Sequence, residues 1–160
     1  MTDGQQRSVP GTDLDVRFSH VVIAVTDMDR SVAFYRDVLG MDVVFDKTLS
    51  GQPFDGRAVG GLLGGVSVEL LRLASGRGDE TSASVGTVGV QVISLSVPNV
   101  DAAYQAVSKA VEPATKPFDV DGVRMFFVSD PDGATVEFVE FPGAARTPAE
   151  MHRGLDGARP

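Results

Sequence analysis

A short pattern occurs twice in this chain. Val25, Asp27, Met28 and Asp29 recur as Val97, Asn99, Val100 and Asp101, at a constant separation of 72 positions. In both places a β-branched, apolar run precedes the pattern and a helical stripe follows it, so two similar units are expected. The chain has 160 residues, the size of one compact domain or of two small units sharing a core.

The first unit opens with FSHVVIAV at residues 18–25, a strand in which Val21, Ile23 and Val25 share one face. Phe18, His20, Val22 and Ala24 share the other. Asp27 or Asp29 then offers an N-cap. Val32, Tyr35, Val38 and Leu39 repeat at helical spacing, and Gly40 stands where a left-handed residue ends a helix. The Phe34-Tyr35 pair on this helix is expected to serve packing. Further strands are expected at 42–47, 57–62 and 66–73, giving the order β-α-β-β-β.

Residues 74–87 are small, polar and rich in Gly and Ser, the composition of a linker. After them a second helix is expected over 100–110, with strands near 114–118, 123–129 and 134–141. Asp130-Pro131-Asp132-Gly133 fits a type I turn. The expectation is an α+β fold of two βαβββ modules, at 17–75 and 88–141, joined by a linker at 76–87. A polar arm, 1–16, cannot bury enough apolar surface to offset its ordering entropy. The tail, 142–160, is expected to carry a short docking helix over 148–154.

A formal charge of −8 repels the phosphates of nucleic acid and anionic membranes, which leaves small molecules and proteins as partners. With no cysteine, neither disulfides nor thiolate chemistry is open to the chain. No secretory signal pattern and no apolar run of membrane-spanning length is present, so a cytoplasmic location is expected.

The offset that matches the two patterns carries His20 onto Val92, so these side chains should occupy equivalent places in the two modules. Glu69 in VSVELLRL and Glu137 in ATVEFVEF fall at equivalent places in the last strands. A carboxylate buried there must be paired, protonated or bound to a cation. One imidazole and two carboxylates suit a divalent ion, Zn, Ni, Co, Mn or Fe, with positions open to water and substrate. Glu140, three residues beyond Glu137, turns to the other face, and His152 lies in the tail with an expected exposed role.

SHVVIAVTDMDRSVAFYRDVLGMDVV, followed by FFVSDPDGATVEFVEF, resembles the vicinal oxygen chelate superfamily, the glyoxalase/bleomycin resistance/extradiol dioxygenase fold, over residues 17–141. The resemblance implies paired modules curled around a cavity and often completed by dimerisation, hence a homodimer. It also implies metal ligands on the first and last strand of each module, which here are His20, Glu69 and Glu137. Val92 departs from the pattern, since metal-dependent relatives usually have histidine there. Phe18, Val22, Leu71, Val92 and Ser94 would line the cavity.

The implied activity is that of a metal-dependent isomerase, epimerase or lyase. It would act on a small oxygenated substrate through an enolate-like intermediate, with Glu69 or Glu137 as base. Extradiol cleavage is disfavoured because it needs a second histidine on iron. The alternatives are an antibiotic-sequestering protein of the bleomycin-resistance type and a natural-product cyclase or rearrangement enzyme.

Overall fold

The computed structural model describes residues 18–51, 55–75, 90 and 92–156, with side chains up to residue 152. The expected arm at 1–16 and linker at 76–87 lie outside the described residues. The first module comprises β1 (Val21–Ala24), α1 (Met28–Ala33), β2 (Asp42–Leu49), β3 (Gly56–Leu63) and β4 (Val66–Leu73). The second comprises β5 (Val92–Ser96), α2 (Val100–Val107), β6 (Phe118–Val120), β7 (Val123–Ser129) and β8 (Thr135–Glu140), and α3 (Pro148–Asp156) follows in the tail.

The two sheets have the same topology, β1-β4-β3-β2 and β5-β8-β7-β6. In each, the first and last strands pair parallel and the other neighbours pair antiparallel. The helices start at equivalent caps. Asp27 Oδ1 accepts from the Arg30 amide at 3.0 Å, and Asn99 Oδ1 from the Ala102 amide at 2.7 Å. α1 runs on into a π-helical turn, Phe34–Val38, and Gly40 closes the segment at φ 79°.

Alternation along the strands decides which face is covered. Val68, Leu70, Val128, Val136 and Phe138 point to the helix side, where they join Met28, Phe34, Tyr35 and Val100 in one apolar core drawn from both modules. The opposite face of each sheet is open. Neither module closes a core alone, as their size leads one to expect.

The modules are also joined by the turn between β7 and β8. The buried carboxylate of Asp130 accepts from the Tyr35 hydroxyl at 3.0 Å and from the amides of Asp132 and Ala134 at 2.9 and 2.7 Å. Burial first, and the Asp130 charge second, push the Tyr35 phenol above its ordinary range, so it remains a donor. Asp132 accepts from the Thr26 amide and hydroxyl, and Arg30 donates to the Pro131 carbonyl at 2.8 Å.

Two boundaries differ from those read in the sequence. β1 begins at Val21 rather than Phe18, leaving His20 just before the ladder. β6 falls at Phe118–Val120 rather than over 114–118. Pro113 precedes that stretch and Pro117 lies within it, and neither has the amide a ladder needs. The chain there keeps isolated bonds to β7 instead: the Ala114 amide donates to the Phe127 carbonyl at 2.8 Å, and Thr115 Oγ1 accepts from the Phe127 amide at 3.0 Å.

Candidate ligand cleft and the two glutamates

Register places the two glutamates equivalently. Glu69 lies opposite Val22 on β1 and Gly60 on β3, while Glu137 lies opposite Ser94 on β5 and Phe127 on β7. Val22 and Ser94 are themselves equivalent under the repeat. Both glutamates are half-buried and both rise from the open face of their sheet.

The surroundings of the two differ. On the first sheet Phe45 lies opposite Gly60, and a Cβ on that glycine would collide with the Phe45 ring. The Phe45 ring therefore covers Gly60, the residue opposite Glu69 on the ladder. His20 is exposed at the edge of this face, its Nδ1 bonded to the Ser19 hydroxyl at 2.8 Å. Val22 remains 46% exposed and Leu62 48%, an apolar face open to solvent.

The open face of the second sheet is covered at one end by the tail. A cleft of about 570 Å³ lies there, its floor formed by Ser94, Ser96, Met125, Glu137 and Val139. Its rim comes from Val120, Asp121 and Val123 at the β6–β7 hairpin, and its lid from Arg146, Thr147, Pro148, Met151 and His152. Val139 is 3% exposed although it stands on the open face, because the tail covers it.

Within the cleft Ser94 Oγ donates to Glu137 Oε2 at 2.5 Å. That bond fixes one carboxylate oxygen and leaves the other for a ligand. The start of α3 is capped locally: Thr147 Oγ1 accepts from the Glu150 amide at 3.2 Å, and Glu150 Oε2 accepts from the Arg146 amide at 2.7 Å.

Of the residues expected to line a cavity, Ser94 lines this cleft. Phe18, Val22, Leu71 and Val92 do not, and Phe18 is 76% exposed. Neither His20 nor Glu69 lines this cleft, whereas Glu137 does. Among the described residues no three His, Asp or Glu side chains are grouped to hold a metal ion.

His152, read from sequence as an exposed tail residue, is exposed but also lines the cleft. Thr147 and Glu150 signalled the helix that carries it, whereas nothing local signalled where that helix docks. Glu140 accepts from the Val100 amide at 2.7 Å and so caps α2 on the helix side. No described helix is long and apolar enough to cross a membrane.

The family model for the Glyoxalase/Bleomycin resistance protein/Dioxygenase superfamily matches residues 17–138. A lactoylglutathione lyase of Arabidopsis thaliana is 29% identical over 130 residues, covering 78% of this chain and 44% of that protein. The chain thus spans less than half the length of this curated relative. A superfamily member from Sphaerobacter thermophilus superposes with a TM-score of 0.59 at 28% identity, over 79% of this chain and 99% of its own. A glyoxalase/bleomycin resistance/dioxygenase domain from a Frankia species gives 0.65 at 18% identity, over 81% and 95%, a likeness of fold.

Proposed function

This chain belongs to the Glyoxalase/Bleomycin resistance protein/Dioxygenase superfamily, and from that premise we propose that it is an isomerase, epimerase or lyase acting on a small oxygenated molecule in the cleft of the second module. The observation that carries the reading is Glu137, a half-buried carboxylate oriented by Ser94 on the floor of a largely apolar cleft. Met125, Val139 and Met151 line the same cleft and give this base apolar neighbours.

The free oxygen of Glu137 takes a proton from a carbon next to a carbonyl, and the C–H electron pair moves onto the carbonyl oxygen as an enolate. Protonation of the opposite face by water gives an epimer, and return of the proton from Glu137 at the neighbouring carbon gives an isomer. Loss of a leaving group from the adjacent carbon gives the lyase product.

The metal ion that the family resemblance implies would require His20, Glu69 and Glu137 together. The residues of a single chain do not fit it, because among the described residues no three His, Asp or Glu side chains are grouped to hold an ion, and no step above runs through one. The metal-dependent form of the proposal belongs to a homodimer in which His20 and Glu69 of one copy meet Glu137 of a second. Metal content and mass in solution, compared between the protein and His20→Ala, test it. Equal metal content in both, or a monomer at micromolar concentration, removes that form.

The rival reading is sequestration of a small molecule, favoured by the mainly apolar wall of the cleft. A screen of α-hydroxycarbonyl compounds, thioesters and polyketide-like ligands in deuterated water separates the two. Deuterium incorporation at carbon that is lost in Glu137→Gln supports the enzyme. Tight binding without exchange in any bound compound supports sequestration.

A further inference from the structure

Among the described residues, five arginines are committed to internal partners. Arg30 donates to the Pro131 carbonyl and pairs with Asp132, and Arg36 pairs with Asp37. Arg57 holds Asp29 and Asp46, Arg124 holds Asp101 and Asp119, and Arg72 donates to the Thr26 carbonyl. Arg146 differs. Its amide is bound to Glu150, but its guanidinium has no partner among the described residues, and it lines the cleft.

Among the described residues that line the cleft there is no lysine, and Arg146 is the permanent cation. The carboxylates there are Glu137, held by Ser94 on the floor, and Asp121 at the exposed tip of the β6–β7 hairpin. Arg146 forms an ion pair with neither among the described residues. Glu150 answers the positive end of α3 through its cap, which leaves the guanidinium as the group able to take an anion.

We infer that the cleft selects molecules with an apolar body and one anionic oxygen group, of the carboxylate or phosphate kind, recognised by Arg146. The inference rests on the proposed site and names its ligand class. The apolar body lies against Val120, Val123, Met125, Val139 and Met151, while the anionic end is kept at the tail, away from Glu137. An anionic group at Glu137 would meet like charge, whereas a C–H acid there meets a base. Arg146 is thus a specificity residue on the lid.

Octanoate, octanol and octylamine share one alkyl chain and differ in the head group, which makes them the probes. Binding to the full chain is followed by the NMR signals of the Met125 and Met151 methyl groups, both in the cleft. Octanoate should bind about tenfold more tightly than octanol, the scale of one charge-assisted contact at an exposed site, with octylamine weakest. Arg146→Met should bring octanoate to the level of octanol, while octanol binds this variant as tightly as it binds the unaltered protein. Arg146→Lys should retain part of the preference.

Equal binding of octanoate and octanol, or a preference that survives Arg146→Met, overturns the inference. Exchange chemistry sensitive to Glu137→Gln would then stand untouched. If no probe moves either methyl signal, the cleft itself is rejected as the ligand site and both readings fall together.

Discussion

Arg57 in the first module and Arg124 in the second do the same thing with the same kinds of partner. Arg57 bridges Asp29 at the start of α1 and Asp46 on β2, both at 2.7 Å; Arg124 bridges Asp101 at the start of α2 and Asp119 on β6, both at 2.8 Å. The residues on the open faces are not kept in this way. His20 is matched by Val92, Val22 by Ser94, and Gly60 by Phe127. Framework positions are duplicated while open-face positions diverge, and the exception is the pair of glutamates. What separates the modules functionally is therefore what surrounds Glu69 and Glu137.

The sharpest way to break that comparison is to neutralise each glutamate in turn. Glu137→Gln should lower exchange at the substrate carbon by roughly 10²–10⁴-fold, the usual worth of a positioned base. Glu69→Gln should leave most of it, because Glu69 lies outside the cleft. Equal losses in both variants, together with lost metal, would instead place both glutamates in one centre and restore the metal-dependent dimer. Rates are measured by NMR in deuterated water.

The turns that follow β3 and β7 are the next contrast. Gly64 and Gly65 make a hairpin turn at φ 58° and 85°, and a Cβ at either would meet open space. The matching turn carries Asp130, which binds the first module. Asp130→Ala strands the Tyr35 hydroxyl and two amides, and should cost about 3 kcal/mol in denaturant unfolding. Gly64→Asn should cost only a few tenths, since Asn tolerates positive φ. Similar costs at the two turns would mean that Asp130 does not hold the modules together.

A smaller effect is expected at Gly61. Its counterpart in the second sheet is Val128, fully buried in the core, so the difference is not one of face. In the first sheet the register of β2 slips between Val43 and Phe45, and that bulge brings the Asp42 carbonyl onto the place a Cβ of Gly61 would occupy. β6 has no such bulge. Gly61→Ala should cost about 2 kcal/mol by thermal or chemical denaturation, since backbone must move. A neutral outcome would show that the bulge relaxes freely.

Much of this was legible in the sequence, for identifiable reasons. Strand alternation and the constant separation of the two patterns give the βαβββ order, and register alone puts Glu69 and Glu137 in equivalent places. The Arg57 and Arg124 bridges were also within reach. A search at one offset misses them, because the segment between helix and third strand is shorter in the second module, and the arginines repeat at 67 positions rather than 72. The cleft was not legible. It depends on where α3 docks, and docking is decided by long-range packing that no local pattern in residues 142–160 encodes.

The smallest expected effect concerns the duplicated bridges themselves, which lie at the surface where ion pairs are screened. Arg57→Met and Arg124→Met should each lower the denaturation midpoint slightly and by similar amounts, as befits equivalent places. The hydrogen bond from Arg57 holds the Asp46 carboxyl below its ordinary range. A carboxyl whose value is lower folded than unfolded contributes stability above the unfolded value and loses it as pH falls through the folded one. The gap between the protein and Arg57→Met should accordingly be present near neutrality and narrow in acid below the ordinary aspartate range. A gap that stays constant to low pH would show that Arg57 acts through the packing of its stem rather than its charge, and a large loss for one arginine alone would break the equivalence of the two modules.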